Sequence, residues 1–292
     1  MALPTVSVVM GVKNAEDRVL QTINSILSQE GVDLEFIIIN DGSSDRTQEI
    51  IQEKANADSR IRLVSRDNKG LTISLIEGCR LAEAEFIARQ DANDISLPNR
   101  LEIQANVLRS NTDCSFCSTY VRHVTKEGIE GLITSGDGII HGSVMMQRSA
   151  YFEAGGYRQE FYYAQDIDLW SRLVEVGNHI AIPRIYYEGL LFPGSISGTN
   201  SLEQRKFMEI IEGAAQARKG QSDENFWLNK AENLSKQCRG SVKKSSQYAE
   251  GAYFIGSCLV EHNPSLAKTY FQEALKFNRR HLRAGLRLTF MR

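Results

Sequence analysis

Ala84-Glu85-Phe86-Ile87-Ala88-Arg89-Gln90-Asp91-Ala92-Asn93-Asp94 joins a short apolar run to a tight cluster of carboxylate and amide side chains. The apolar half suits a strand buried in a helix-covered parallel sheet, where strands read as near-continuous hydrophobic runs. Carboxylates gathered just past such a strand repel one another unless a cation offsets their charge. A hard, oxygen-seeking divalent metal bound to a phosphate ester is one such cation. The plainer reading is a solvated Asp/Asn turn that starts a helix, because Ile95-Ser96-Leu97-Pro98 follows directly. The flanking sequence decides between the two.

Upstream the same pattern repeats. Val6-Ser7-Val8-Val9-Met10, Phe36-Ile37-Ile38-Ile39 and Ile61-Arg62-Leu63-Val64 read as strands. Helices are expected between them: one through Val19, Leu20, Ile23, Ile26 and Leu27, one around residues 47–55 presenting Ile50 and Ile51, and one through Leu71, Leu75, Ile76 and Cys79. Strands roughly 25–30 residues apart with helices between predict βαβ units. The fold class is therefore α/β, a Rossmann-like, mostly parallel sheet with helices on both faces. In such sheets a ligand lies outside the carboxyl ends of the strands. Those ends carry Asn14 and Glu16, then Asp41-Gly42-Ser43-Ser44-Asp45, then Arg66-Asp67-Asn68-Lys69-Gly70, then Asp91 to Asp94. Loop polarity explains each end singly; their acid density points to one shared site.

Downstream, a helix is expected through Leu101, Gln104, Ala105 and Leu108, then less regular sequence to about residue 140 and a buried strand at His141-Gly142-Ser143-Val144-Met145-Met146. In Gln165-Asp166-Ile167-Asp168-Leu169-Trp170-Ser171-Arg172-Leu173, apolar residues recur at helical spacing, so Asp166 falls in a first turn, where the helix dipole favours an ionised carboxylate. Asp168 is expected to pair with Arg172 four residues on. From about residue 201 the strand signals stop. Gly251-Ala252-Tyr253-Phe254-Ile255-Gly256 and Ala267-Lys268-Thr269-Tyr270-Phe271-Gln272-Glu273-Ala274-Leu275 resemble one helix-turn-helix repeat of the tetratricopeptide kind. The expected division is therefore residues 1–200 and a helical extension over 201–292.

The 292 residues carry a net charge of −2 that hides an asymmetry: residues 201–292 hold 16 Lys/Arg against 9 Asp/Glu. Lys276, Arg280, Arg283 and Arg287 are spaced for one face of a last helix, with apolar residues on both flanks. Such a face suits an anionic membrane surface or the acidic body of the protein itself. No recognition motif accompanies the charge, so nucleic acid is not an expected partner. No run approaches the roughly 18–20 apolar residues of a membrane span, and the first residues lack a signal pattern. The expectation is a cytoplasmic protein, peripheral at the inner face of the membrane where the tail engages it. Five cysteines fit a reducing compartment. Cys114 and Cys117 form a CxxC without a second Cys/His pair at zinc spacing, so packing is their expected role.

Together these motifs resemble a family 2 glycosyltransferase of the GT-A (nucleotide-diphospho-sugar transferase) fold, from about Pro4 to Ser197. The opening strand and loop to Asn14, the block Glu35 to Thr47, the DxD-like Asp91–Asp94 with Leu97-Pro98-Asn99-Arg100-Leu101, and Gln165-Asp166-Ile167-Asp168-Leu169-Trp170 stand in the family's order. The resemblance implies an inverting enzyme that moves one sugar from a nucleotide-sugar, UDP by preference, to a hydroxyl of a saccharide or lipid-linked saccharide. Asp41 would meet the base, and Asp91 and Asn93 the ribose, diphosphate and metal. Asn14, Glu16, Asn68, Gly70 and Arg89 complete the expected donor contacts. Asp91, Asn93 and Asp94 are the expected ligands of Mn²⁺ or Mg²⁺. Asp166 would be the general base. The chain departs from the family at Asn93 (usually an acid), at Gln165 (usually Glu), and at Gly11 and Gly142 (frequently Pro). It also departs at Glu188-Gly189-Leu190-Leu191-Phe192, where a basic or histidine residue is usual.

Two further readings compete. A catalytically silent scaffold would keep the fold and use the helical tail to hold partners. A sugar-nucleotide pyrophosphorylase would need a Gly-rich basic loop after the first strand, which Met10-Gly11-Val12-Lys13-Asn14 does not supply. A dinucleotide oxidoreductase lacks its GxGxxG, and a processive synthase lacks membrane spans and a QxxRW motif.

Overall fold

The computed structural model describes residues 4–128, 130–134, 138–194, 201–239 and 245–291, the side chains of 130–134 and 201–202 excepted. Strands β1 (Val6–Val12), β2 (Leu34–Asp41), β3 (Ile61–Arg66) and β4 (Phe86–Arg89) alternate with helices α1 (Val19–Leu27), α2 (Thr47–Ala57) and α3 (Leu71–Leu81). β1 pairs in parallel with both β2 and β4, and β2 with β3. Strand β5 (Ile95–Ser96) and helix α4 (Arg100–Ser110) follow. Then come β6 (Cys114–Thr125), β7 (Glu130–Thr134), β8 (Val144–Gln147), α5 (Arg148–Glu153), α6 (Gln165–Val176) and β9 (Asn178–Leu191). The sheet runs β3-β2-β1-β4-β8-β6-β9-β5, with β7 added to β6. β8 enters antiparallel to β4 and β6, and β9 restores a parallel pair with β6.

Period-two side chains send the two faces of the sheet into separate cores. Val8, Met10, Phe36 and Ile38 pack with Ile23, Ile26 and Leu101 of α1 and α4. Val9, Ile37 and Ile39 pack on the other face with Leu75 of α3 and Leu169, Trp170 and Leu173 of α6. The parallel half therefore delivers four carboxyl ends to one rim, the arrangement that makes a ligand crevice.

Three expectations need correction. The stretch to residue 140 is ordered as the twelve-residue β6 and the shorter β7. β6 is buried along nearly all its length, so it lacks the alternation of a half-solvated strand, and two of its serines are bonded internally: Ser115 donates to the Leu173 carbonyl at 2.9 Å and Ser118 meets His179 at 2.9 Å. His141–Ser143 is a short 3-10 turn, and the strand begins only at Val144. The basic stripe does not lie on one helix.

The tail comprises α7 (Ser201–Lys219), α8 (Asn225–Cys238), α9 (Ser245–Leu259), α10 (Pro264–Phe277) and α11 (Leu282–Phe290). Lys276 ends α10, Arg280 sits in the turn, and only Arg283 and Arg287 share α11. The break is a capping event: the Asn278 N–H closes α10 on Ala274, and the His281 imidazole accepts from the Ala284 N–H at 3.1 Å to start α11. Arg283 pairs with Glu250 and lies over the Tyr253 ring, so it is tied to the body.

The expected division at residue 200 falls among 195–200, outside the described residues, as does Ser197. All five cysteines are free, and burial pushes the Cys79 thiol up to about 12. No helix among the described residues is long and apolar enough to cross a membrane.

Candidate active site

The rim holds two adjoining cavities. A smaller one of about 280 Å³ is lined by Lys13, Asp41, Asn68, Gly70, Tyr162 and Tyr163, among others. A larger cleft of about 510 Å³ is lined by Asp91, Asn93, Asp94, His123, His141 and Asp166, among others. Gly11, Lys13 and Leu71 border both, so the two are continuous. Gly11 makes the junction possible: a Cβ there would stand 3.0 Å from both Leu71 Cδ1 and Ser74 Cβ.

Asp41 ends β2 almost fully buried. Its carboxylate accepts from Arg66 and from the Lys69 and Gly70 amides, each amide at 2.8 Å. It therefore shapes the loop after β3 while facing the smaller cavity. Gly70 adopts φ +94°, and a Cβ on it would press on the Tyr162 ring at 3.2 Å. Asn68 accepts from the Gly70 amide at 3.0 Å, completing that loop. Tyr162 and Tyr163, which the sequence reading missed, wall the cavity from the segment before α6. The aromatic run Phe161-Tyr162-Tyr163 is the signal that marks them.

Asn14 and Glu16 lie elsewhere. Asn14 accepts from the Ser44 amide at 2.8 Å and Glu16 from the Arg46 amide at 3.0 Å, which staples the loop after β1 to the loop after β2. Both line a third cavity of about 390 Å³, which also holds Asn93, Arg18 and Lys126. The structure thus separates them from Asp41, Asn68 and Gly70.

The acidic turn is pinned through its carbonyls. Arg18 donates to Asn93 O at 3.0 Å, Thr22 to Ala92 O at 3.0 Å, and Gln90 to Asp94 O at 2.9 Å. Arg89 lies beneath the cleft, fully buried. It donates to the Val9 carbonyl, to Asp91 at 2.9 Å and to His141 Nε2 at 3.1 Å. Arg89 is not among the residues lining either cavity and meets the cleft through Asp91. His141 Nε2 also sits 2.6 Å from the Tyr157 hydroxyl, and burial beside Arg89 keeps the imidazole neutral, well below its ordinary range. A second buried arginine, Arg100, binds Ser96 at 2.7 Å and the Arg89 carbonyl at 2.9 Å.

Asp94 accepts from the Leu190 amide at 2.9 Å. Burial first, and the neighbouring Asp91 second, push its carboxyl up to about 7. A carboxylate crowded by a neighbouring negative charge is what a divalent cation relieves. With the Asn93 amide in the same cleft, the oxygen-rich side chains are of the type that suits a hard divalent metal. No cluster of three His, Cys, Asp or Glu able to hold a metal on its own occurs among the described residues. The His123 imidazole faces the same cleft opposite Gly189 in the β6–β9 register. A Cβ on Gly189 would stand 2.9 Å from its Nδ1. A histidine from the neighbouring strand thus fills space over the segment that lacks one.

Asp166 occupies the first turn of α6, after Ala164 at φ +57°. Burial pushes its carboxyl up, the Ile167 amide and its own oppose this, and Asp91 adds to the rise. Asp168 points away, bound to Arg172 at 2.6 Å within a network that reaches Arg158. The site thus gathers Asp91, Asn93, Asp94 and Asp166 in one cleft, with Asp41, Asn68 and Gly70 next door.

Residues 7–165 match the family described as glycosyl transferase family 2. EpsE of Bacillus subtilis (strain 168), which its name assigns to the glycosyltransferases, is 35% identical over 189 residues, covering 60% of this chain and 68% of EpsE. Chondroitin synthase of Pasteurella multocida (strain Pm70) is 25% identical over 261 residues. That alignment spans 85% of this chain but only 27% of the synthase. Among solved structures, S. aureus TarS 1–349 in complex with UDP-GlcNAc superposes with a TM-score of 0.62 at 13% identity, covering 98% of this chain and 89% of TarS. That likeness shows the fold. Family motifs, fold and cleft converge: the chain belongs to glycosyl transferase family 2 and is a glycosyltransferase.

Proposed function

We propose that this enzyme moves a single sugar from a nucleotide-sugar, a UDP-sugar, to a hydroxyl of a saccharide or lipid-linked saccharide, with inversion at the anomeric carbon. The observation that carries the reading is the placement of Asp166 and Asp91 across one cleft that opens into the Asp41 cavity. The smaller cavity suits a nucleobase, with Tyr162 as an aromatic wall and Asp41 as a hydrogen-bond acceptor. TarS structures in complex with UDP and with UDP-GlcNAc support the choice of nucleotide. Relatives named for chondroitin and hyaluronan synthesis support a saccharide acceptor.

In this reading Asp166 takes the proton of the acceptor hydroxyl as that oxygen attacks the anomeric carbon. The nucleoside diphosphate leaves from the opposite face, a single displacement. An aspartate at a helix start is ordinarily a weak base, and burial corrects this by raising its proton affinity. Arg89 fixes the Asp91 carboxylate, and the pinned carbonyls of the 91–94 turn hold it against the recoil of charge. Asp91, Asn93 and Asp94 would hold a Mn²⁺ or Mg²⁺, which supplies charge neutralisation for the leaving diphosphate.

The test is nucleoside diphosphate release from UDP-, GDP- and dTDP-sugars, with Mn²⁺, Mg²⁺ or EDTA, beside Asp91→Ala and Asp166→Asn. Release from one donor, lost in both variants, is expected. Failure of UDP with Mn²⁺ to bind in calorimetry would overturn the reading and leave the scaffold alternative.

A further inference from the structure

Helix α11 is apolar on two opposite sides. Ala284 and Leu288 turn inward, with Met291 just beyond the helix, onto the core formed by α9 and α10. Leu282, Leu286 and Phe290, spaced i, i+4, i+8, form a second stripe that is 80%, 57% and 81% exposed. Phe277, at the end of α10, is also exposed. Single exposed leucines need no explanation, whereas an ordered apolar stripe marks an interaction surface.

Charge identifies what covers it. Residues 276–292 contain no Asp or Glu, yet they include Lys276, Arg279, Arg280, Arg283 and Arg287. All five are exposed. Arg283 is held by Glu250, whereas Lys276, Arg279, Arg280 and Arg287 have no ion-pair partner among the described residues. An apolar stripe bordered by uncompensated cations matches the headgroup boundary of an anionic bilayer, with acyl chains for the stripe and phosphates for the arginines. A second copy would bring arginines against arginines across the contact.

We propose that α11 and the turn before it dock this protein on an anionic bilayer, burying Leu282, Leu286 and Phe290 while Arg279, Arg280 and Arg287 meet lipid phosphates. Helix α9 roots this surface close to the catalytic cleft: Tyr253 contacts Arg283, and the next residue, Phe254, lines the cleft. The inference does not depend on turnover or on the identity of the acceptor.

The test is co-sedimentation of the full chain with vesicles of phosphatidylcholine and phosphatidylglycerol in equal parts, and with phosphatidylcholine alone. The wild-type protein should pellet only with the anionic vesicles. Arg280→Gln with Arg287→Gln should weaken partitioning by roughly 25-fold, about fivefold per cation. Leu286→Ser with Phe290→Ser should weaken it by about tenfold or more while leaving far-ultraviolet circular dichroism unchanged. Absence of pelleting, equal pelleting with neutral vesicles, or indifference to the serine pair would overturn the proposal. So would a wild-type dimer in analytical ultracentrifugation that the serine pair converts to monomer, because a second copy would then own the stripe.

Discussion

The hydroxyl of Tyr187 fills the space that a Cβ on Gly142 would need, and the same hydroxyl accepts the Asp91 amide at 3.0 Å. Glycine after His141 is thus the condition for a phenol that anchors the acidic turn. Gly142→Ala should overpack this contact, costing about 1–3 kcal/mol and displacing Asp91. Tyr187→Phe leaves the half-buried amide without this partner, costing about 1 kcal/mol without a clash. Thermal unfolding and calorimetry with UDP and Mn²⁺ should show both variants destabilised, with the weaker nucleotide binding in Gly142→Ala.

Asp166 separates catalysis from folding. Its folded pKa is raised above the unfolded value, so the stability it contributes is present at acid pH and lost as pH rises through the folded pKa. Asp166→Asn should therefore unfold no more easily than the wild type at neutral pH. Transfer should fall by about 10²–10⁴-fold with donor affinity retained. The acid limb of the wild-type pH–rate profile should sit above the ordinary aspartate range and vanish in the variant. A variant that is slow and also unstable at pH 7 would assign Asp166 a packing role instead.

Ser235 connects the helical extension to the smaller cavity. Almost fully buried on α8, it accepts the Tyr162 amide at 2.9 Å and donates to the Glu160 carbonyl at 2.6 Å. Ser235→Ala removes both partners at the base of the aromatic wall, costing about 1–3 kcal/mol for the orphaned amide. The expected signature is a raised KM for the donor with kcat little changed. Equal loss in kcat and kcat/KM would place the effect at the reacting centre.

Legibility followed the physics of each element. β1, β2 and β4 are buried on both faces, and β2 and β4 lead into turn-forming acids, so apolar runs and polar rims mark Asp41 and Asp91 directly, whereas Asp166 is marked by the helical apolar spacing that follows it. β6 is hidden because Ser115 and Ser118 look like loop residues until their partners are known; Ser118 meets His179 at 2.9 Å, across the sheet. The basic stripe reads as one last helix because the spacing of Lys276, Arg280, Arg283 and Arg287 continues through Asn278 and His281. That these two act as caps, Asn278 through its backbone N–H and His281 through its imidazole, is something spacing does not encode. The positions of Arg89 and Tyr187 under the cleft depend on long-range packing, and no local pattern announces it.

The last prediction concerns the charge pair of the acidic turn. With its pKa at about 7 against 3.8 unperturbed, neutral Asp94 contributes stability that is fully present below pH about 4 and lost as pH rises through about 7. Metal-free protein should therefore show a falling melting temperature across that window. Mn²⁺ binds the ionised pair, so adding it above pH 7 should reverse the fall, by about 2.7 kcal/mol at a hundredfold excess over its dissociation constant. Asp94→Asn should flatten both effects, because it removes the repulsion with Asp91 together with one ligand. A melting temperature independent of Mn²⁺ in the wild type at pH 8 would show that these side chains do not hold the cation without donor, and that the diphosphate brings it.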